Sequence, residues 1–246
     1  MDVVTGIDSL RPEHGPMFAV VGVFDGLHLG HAYLLEQLVR EAAVRNARPT
    51  VITFDHHPDE VLTGVAPPLL LHPAERIERL AAAGVAVTLV VHFDDALRHT
   101  TYDRFIESIR ERTALAGLLM TPDAAFGYER RGTPDALAAL GARDGFDVVV
   151  VPPFMLDGRS VRSSDIRAAI GRGDLGDAAA LVGRRFCLSG DLADGRLERS
   201  VPMATPPDGG YGGSIDGRDV TVTIDAGAVR IEPSIRDGHV RVELTT

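Results

Sequence analysis

The strongest constraint on the fold is the regular alternation of short apolar runs with segments of helical spacing over about the first 183 residues. The apolar runs lie at Met17–Val23, Thr50–Phe54, Val85–Phe93, Leu115–Met120 and Asp147–Val151. Helical spacing between them is found at Ala32–Asn46, Ala74–Ala83, Tyr102–Arg112 and Pro134–Ala142. Strands that alternate with helices predict an α/β fold with a parallel sheet and helices on both of its faces.

The second half of the chain contains helix signals and then a change of pattern. Thr133 before Pro134 predicts a capped helix start, and two short helices are expected at Ser164–Gly171 and Leu175–Leu181. After about Gly183 the short strand patterns are Arg185–Gly190, Val220–Ile224, Ala228–Ile231 and Val240–Leu244. A Gly- and Pro-rich stretch, Pro202–Gly217, is predicted to be a mobile connector. We therefore expect an α/β domain over residues 1–183 and a small all-β region over residues 184–246.

Composition excludes several classes of function. All 25 basic residues are arginine, so a P-loop lysine and Schiff-base chemistry are excluded. A net charge of −10 disfavours non-specific binding to nucleic acid, and the single Cys187 excludes an internal disulfide. The sequence contains no run of eighteen apolar residues, so no membrane span is predicted. Met1–Gly6 lacks the features of a secretion signal. We therefore expect a cytoplasmic protein; its oligomeric state cannot be read from the sequence.

The segment Gly22–His31 carries the strongest chemical signal. It reads G-V-F-D-G-L-H-L-G-H between an apolar run and a helix, so two imidazoles stand at a helix start, where free N–H groups bind anions. Gly30 permits close approach of the backbone, and Asp25 could orient a histidine or hold a magnesium ion. The alternatives are that both histidines are ordinary turn and surface residues, or that they form a zinc site, for which a clear third ligand is missing.

With this segment the chain resembles the nucleotidylyltransferase superfamily, and more closely the FMN adenylyltransferase domain of prokaryotic FAD synthetases. Three further segments are similar to that family's motifs and occur in the same order. They read T-F-D-H-H-P at residues 53–58, D-A-A-F-G at residues 123–127 and R-S-S-D-I-R at residues 162–167. The resemblance covers about Gly15–Gly190 and implies a Rossmann-like nucleotidylyltransferase domain over residues 1–183.

The resemblance also implies roles for individual residues. The catalytic residues would be His28, His31 and Arg167. The nucleotide would be bound by Gly22, Phe24, Asp25, Gly26, Gly30, Asp123, Ser163 and Ser164. The flavin would be bound by Phe54, Asp55, His57, Pro58 and Phe126. Asp123 would in addition serve the magnesium ion that accompanies ATP.

Several positions depart from the family pattern. His56 replaces a proline, Ala124 replaces an aromatic residue and Arg162 replaces a serine. The residues alone also allow simpler interpretations. Residues 53–58 could form a turn whose histidines cap a helix, and residues 162–167 could form a capped helix with a surface arginine. Arg130 and Arg131 could be a solvated face or could clamp a triphosphate.

The region after Gly183 also differs from the family. Phe186–Gly190 resembles the first strand of a riboflavin kinase barrel, but Asp194–Met203 reads D-G-R-L-E-R-S-V-P-M and lacks the P-T-A-N segment of that kinase. Tyr211 could be a remnant of a later kinase segment. The resemblance therefore implies that residues 184–246 form a truncated riboflavin-kinase-like region without kinase activity.

The expected reaction is adenylyl transfer from ATP to FMN, which gives FAD and pyrophosphate. The partners would be small molecules, without nucleic acid or membrane. Three alternatives stay open: transfer to another phosphorylated acceptor or from CTP, a non-catalytic protein that binds flavin or nucleotide, and a bifunctional enzyme that also converts riboflavin.

Overall fold

The computed structural model describes residues 1–233 and 237–245, which divide into two compact units. The first unit comprises Met1–Phe24, His31–Pro67 and Ile77–Phe154. The second unit comprises Asp25–Gly30, Pro68–Arg76 and the described part of residues 155–246. No helix within residues 1–233 and 237–245 is long and apolar enough to cross a membrane.

The first unit contains a six-stranded sheet in which every pair of neighbouring strands is parallel. Its strands are Asp2–Thr5 (β1), Met17–Val21 (β2), Arg48–Phe54 (β3), Val87–Val91 (β4), Leu115–Met120 (β5) and Asp147–Val150 (β6). They lie in the order β1-β4-β3-β2-β5-β6. The central strand β2 is buried along almost its whole length, because a sheet covered on both faces needs apolar residues on both sides of its strands. The predicted parallel sheet is confirmed.

The helices of residues 29–144 follow the predicted alternation. They are Leu29–Val44 (α1), Pro58–Thr63 (α2), Pro73–Ala82 (α3), Asp95–Arg98 (α4), Tyr102–Arg110 (α5) and Pro134–Asp144 (α6). Thr133 caps α6, since its hydroxyl accepts from the Ala136 amide at 3.3 Å, as predicted. Helices α2 and α4 were not predicted, because helices of six and four residues are too short to display a period.

The strand order places a topological switch at β2. The chain runs from β2 to β3 and β4 on one side, and then returns to β5 and β6 on the other side of β2. Open parallel sheets bind ligands outside the carboxyl ends of the strands at such a switch. The loops that follow β2, β3, β4 and β5 are therefore where the sheet favours a site. Strand β1 was not predicted, because four residues at the sheet edge carry no periodic signal.

The second unit contains a short hairpin, two helices and a closed antiparallel barrel. The hairpin and the helices are Met155–Leu156 (β7), Arg159–Ser160 (β8), Ser163–Gly171 (α7) and Leu175–Val182 (α8). The barrel strands are Cys187–Ala193 (β9), Arg196–Glu198 (β10), Gly209–Ile215 (β11), Arg218–Asp225 (β12), Ala228–Glu232 (β13) and Gly238–Thr245 (β14). Alternate residues of β12 and β13 are buried, as expected for strands with one face in a barrel core. The predicted all-β region is confirmed, and it closes on itself.

The prediction of a mobile connector over Pro202–Gly217 was wrong in its second half. Strand β11 pairs with β12 along all of its residues and with β14 at Gly212–Ser214. Gly213 is needed for close packing, because a Cβ atom at this position would lie 3.0 Å from the Glu243 carbonyl oxygen. The strand was not predicted because glycine has a low β-propensity. Pairing with a strand on each side stabilises it nevertheless.

Close packing in the barrel predicts a specific sensitivity at Gly190. A Cβ atom at this position would collide with the main-chain carbonyl of Glu198, so Gly190→Ala is expected to lower the free energy of unfolding by about 1–3 kcal/mol. Gly210→Ala is the matched control, since a Cβ atom there meets nothing within 4 Å. Chemical denaturation should separate the two variants; equal stabilities would contradict the described packing.

Candidate active site

The loop after β2 is held in a strained conformation. Phe24 and Leu27 have φ of 54° and 39°, and Gly26 has φ of 83°; for non-glycine residues this region costs energy and is often found at functional sites. Phe24 is buried and packs on the ring of His31, with 5.0 Å between ring centroids. The Thr53 hydroxyl donates to the Val23 carbonyl at 3.1 Å, which ties the loop to the neighbouring strand β3.

His28 immediately precedes α1 and is only 4% exposed. Burial, together with the nearby charge of Arg184, lowers the pKa of His28 to about 4. Arg184 donates to the carbonyls of Gly26 at 2.7 Å and Leu27 at 3.1 Å. A Cβ atom at Gly30 would lie 3.2 Å from the His28 ring, so this glycine permits the histidine to sit against the helix start. His28 is therefore a neutral imidazole at pH 7.

This environment predicts an unusual titration of His28. Its NMR signals are expected to titrate with a midpoint near pH 4. Because the unfolded chain binds this proton first, near pH 6.5, stability present above that pH is lost as the pH falls toward 4. The loss amounts to roughly 3 kcal/mol. His28→Gln should remove this part of the pH dependence of unfolding, whereas a midpoint near 6.5 would contradict the described burial.

Asp25 and Arg167 form a largely buried ion pair within the second unit. Arg167 Nη2 lies 2.5 Å from Asp25 Oδ2, and the side chains are 16% and 3% exposed. The amides of Leu70 and Leu71 also donate to the Asp25 carboxylate, at 2.9 and 3.2 Å. Burial raises the pKa of Asp25, while Arg167 and the two amides act in the opposite direction. The Asp25 carboxylate therefore contacts a guanidinium and two main-chain amides. A histidine is not among these partners, and the carboxylate is not exposed as a metal ligand would be.

Helix α7 supplies two of the residues that meet Asp25. The Ser163 hydroxyl donates to the Asp25 carbonyl at 3.0 Å, and Arg167 lies one turn further on. Arg162 is the N-cap residue of α7 and makes no side-chain cap hydrogen bond, so the simpler interpretation of this segment as a side-chain-capped helix is not what the structure shows. Arg167 Nε also donates to the Pro68 carbonyl at 2.8 Å. Ser164, at the start of α7, is exposed.

The loop after β3 contains the predicted flavin-binding residues. Phe54 packs edge-on against Phe93, with ring centroids 5.2 Å apart. His57 is the N-cap residue of α2, and its Nδ1 accepts from the Asp59 amide at 3.2 Å. His57 therefore caps a helix, as the simpler interpretation of residues 53–58 predicted. Pro58 is the first residue of α2, where its missing N–H is harmless.

Asp55 in the same loop is surrounded by hydrogen-bond donors. Its carboxylate oxygens lie 2.6 Å from His92 Nδ1 and 3.0 Å from His56 Nδ1. Partial burial raises the pKa of Asp55, but hydrogen bonds from His92, His56 and the Phe93 amide outweigh that effect and hold the pKa at about 2. Asp55 is therefore a carboxylate at neutral pH.

The loop after β5 contains Asp123 and Phe126. Asp123 is exposed, and its Oδ1 accepts from the Thr121 hydroxyl at 2.8 Å. Phe126 packs edge-on against Phe105 with 5.7 Å between centroids, at the margin of the first unit's core. Arg130 reaches the main-chain carbonyl of Asp123 at 3.4 Å, and Arg131 forms an exposed ion pair with Glu129.

Two residues of this region were missed by the sequence analysis. Arg184 donates to main-chain carbonyls of the segment Gly22–His31. The sequence marks it merely as a basic residue directly after Gly183, the left-handed residue that ends α8. His92 lies beside Asp55 and directly follows β4. In the sequence His92 lies within the apolar run Val85–Phe93, and no motif includes it.

Comparison with known proteins decides the family. The FAD synthetase family profile matches residues 10–165. The bifunctional riboflavin kinase/FMN adenylyltransferase of Pseudomonas fluorescens is 33% identical over 208 residues, which cover 83% of this chain and 67% of that protein. The chain belongs to the FAD synthetase family. The protein of the same description from Escherichia coli K12 is 31% identical over 210 residues, with the same coverage of both chains.

One solved structure shares the fold of this FAD synthetase family member. It is the crystal structure of a protein from Streptococcus pneumoniae described as a macrolide-efflux protein. The TM-score is 0.82 at 22% identity, and the match covers 99% of this chain and 90% of the other. At that identity the likeness concerns the fold alone. Membership of the family confirms the resemblance that the four sequence segments indicated.

Proposed function

We propose that this FAD synthetase family member transfers the adenylyl group of ATP to FMN, giving FAD and pyrophosphate. A phosphate oxygen of FMN attacks the α-phosphorus of ATP in line, and the bond to the bridging oxygen breaks as pyrophosphate leaves. No covalent enzyme intermediate is needed, so catalysis consists of positioning and of stabilising developing charge.

The observation that carries this proposal is the segment Gly22–His31. It leaves β2 at the topological switch of the sheet, passes through a strained turn and brings His28 to the start of the sixteen-residue helix α1. A helix N-terminus favours a bound polyphosphate. His28, neutral at pH 7, can offer an N–H donor to a phosphate oxygen without contributing a buried charge.

His31 is the second predicted catalytic residue. Its ring is fixed by the contact with buried Phe24, so its orientation does not have to be selected when substrate binds. We assign to His31 the stabilisation of charge that develops on the oxygen bridging the α- and β-phosphates. The packing of its ring on Phe24 supports this role, because it favours one ring orientation before substrate binds.

Arg167 has two candidate roles that the geometry separates. Its contacts with Asp25 and the Pro68 carbonyl favour a positioning role, in which it fixes the first motif relative to the start of α7. A direct role, in which Arg167 and Ser164 grip the β- and γ-phosphates, is kept as the second part of the proposal. Ser164 is exposed at the start of α7 and is the better placed of the two for direct contact with solvent-borne substrate.

Magnesium would enter with ATP, and Asp123 is the residue that fits it. Magnesium is commonly held by one or two carboxylates together with substrate phosphates. Asp123 is exposed and its described side-chain contact is with the Thr121 hydroxyl, whereas the Asp25 carboxylate is occupied by Arg167 and two amides. When bound, the ion would neutralise part of the triphosphate charge.

We further propose that the flavin is bound by Phe54, Asp55, His57, Pro58 and Phe126, and that riboflavin itself is not phosphorylated. The aromatic rings of Phe54 and Phe126 are each held edge-on by a second phenylalanine, which gives them fixed faces for a flat ligand. The lack of a P-T-A-N segment in residues 194–203 supports the absence of a kinase step.

A panel of nucleotides and acceptors, assayed for pyrophosphate release, tests the proposal against its alternatives. ATP with FMN is expected to release pyrophosphate, whereas CTP with FMN and ATP with riboflavin should not. Release with CTP or with another phosphorylated acceptor would replace the proposed substrates. Binding of ATP or FMN by the folded chain without any release would support a non-catalytic binding protein.

A further inference from the structure

A compact cluster of two histidines and one aspartate lies at the carboxyl edge of the sheet. Strands β3 and β4 pair in parallel with Phe54 opposite Val91, so Asp55 and His92 follow directly at the ends of neighbouring strands. The Asp55 amide donates to the Val91 carbonyl at 3.2 Å, which continues the ladder by one residue. The sheet therefore fixes the separation of two of the three side chains, and His56 is next to Asp55 in the chain.

The three side chains converge on a small volume. His92 Nδ1 lies 2.6 Å from Asp55 Oδ2, and His56 Nδ1 lies 3.0 Å from Asp55 Oδ1. One potential ligand atom from each side chain can be chosen so that all three atoms lie within 4.8 Å of one another. The imidazole rings are nearly perpendicular, with 5.5 Å between centroids. No other group of three such side chains meets this condition in residues 1–233 and 237–245.

The main chain already orients the carboxylate. Asp55 Oδ1 accepts from the His56 amide at 2.8 Å and from the Phe93 amide at 3.1 Å. Ligand carboxylates in metal sites are commonly oriented by such outer hydrogen bonds. The cluster therefore has both a donor set and supporting hydrogen bonds built from residues of the described sheet edge.

We propose that Asp55, His56 and His92 form a binding site for a divalent transition-metal ion such as Zn²⁺. Two imidazole nitrogens and one carboxylate oxygen are the ligands that such ions take, whereas Mg²⁺ and Ca²⁺ prefer oxygen alone. The side chains of His92, His56 and Asp55 are 64%, 49% and 34% exposed, so an ion can reach them. Three protein ligands leave a fourth position for water or an oxygen anion.

Binding requires a change of tautomer rather than a change of fold. Each Nδ1 now faces an Asp55 oxygen at hydrogen-bond distance. Coordination through Nδ1 needs its lone pair, so the ring proton of a neutral imidazole must reside on Nε2. The ion then takes the place of the hydrogens between the imidazoles and the carboxylate. His56 is central to the inference, because it is the residue that adds a second imidazole to the cluster.

This inference does not rest on the proposed reaction, although it shares Asp55 with the proposed flavin site, and its test uses the full chain without ATP or FMN. Zn²⁺ is titrated against a chromogenic chelator, and Co²⁺ serves as a spectroscopic probe of ligand geometry. We expect one ion per chain at this site, with affinity lowered at least 10–100-fold in His56→Ala and in His92→Ala. His99→Ala is the matched control, because His99 faces Asp95 with no second imidazole in its cluster, and it should bind Zn²⁺ like the unmodified chain.

Two results would overturn the proposal. One is the absence of Zn²⁺ binding by the folded chain. The other is binding that neither His56→Ala nor His92→Ala weakens, which would assign the ion to other residues such as His28 and His31. Circular dichroism confirms that each variant is folded, and exposed positions such as His92 tolerate truncation. Failure of this test would leave the adenylyl transfer proposal unaffected, since that proposal is measured by pyrophosphate release.

Discussion

Arg167→Met is expected to lower the free energy of unfolding by about 3–5 kcal/mol, because it leaves a buried carboxylate without its counter-charge. Asp25 is 3% exposed and meets Arg167 at 2.5 Å, so water cannot replace the guanidinium. Equilibrium denaturation at pH 7.5 measures the effect. Arg40→Met is the control: Arg40 forms an exposed pair with Glu36 at 3.3 Å, and the loss there should stay below about 0.5 kcal/mol.

The pH dependence of this variant identifies the cause. Without Arg167, burial raises the pKa of Asp25 further, so the folded variant binds a proton more tightly than its unfolded chain. The contribution of Asp25 to the variant's stability is then greatest in acid and is lost as the pH rises through the raised pKa, so the deficit relative to the unmodified chain should shrink toward pH 4. The double variant Asp25→Asn with Arg167→Met should recover part of the loss. A small deficit that does not vary with pH would mean that the pair is not buried as described.

His31→Ala is expected to reduce FAD formation by about 10²–10³-fold, the usual effect of removing one preorganised donor to developing charge. The ring lies against Phe24 and is only half-buried, so the variant should remain folded. Initial rates at saturating ATP and FMN, with thermal unfolding of the same sample, measure both quantities.

Two comparisons make this prediction specific. His31→Gln retains an N–H donor and should recover part of the rate lost in His31→Ala. His99→Ala removes an exposed imidazole outside the first motif and should leave the rate unchanged. A rate for His31→Ala near that of the unmodified chain would remove His31 from the mechanism, although it would leave the reaction itself in place.

Much of the fold follows from local sequence patterns. The apolar runs at Thr50–Phe54 and Leu115–Met120 correspond to β3 and β5, because buried parallel strands need apolar residues on both faces. Thr133 marks the start of α6 for a purely local reason, because its hydroxyl oxygen accepts a hydrogen bond from the Ala136 amide. Strand β11 was missed because Gly212 and Gly213 are favoured by close neighbours across the barrel, and those neighbours are distant in sequence.

The motifs of the candidate site could be predicted from the sequence, but the contacts between their side chains could not. Ser163 and Arg167 belong to one motif, yet the partner that they share, Asp25, is more than 130 residues away in the chain. Arg184 and His92 belong to no motif, because one acts through carbonyls of the first loop and the other through a neighbouring strand. Long-range pairing therefore determined both the residues that were missed and the partners of Asp25.

The most direct test of the central claim is product analysis after incubation of the chain with ATP, Mg²⁺ and FMN. Chromatography with flavin fluorescence detection separates FMN from FAD, and pyrophosphate is measured in the same samples. We predict that FAD and pyrophosphate appear in equal amounts, and that neither forms when FMN is replaced by riboflavin. Unchanged FMN after incubation with the folded chain would contradict the assignment of FMN adenylyl transfer.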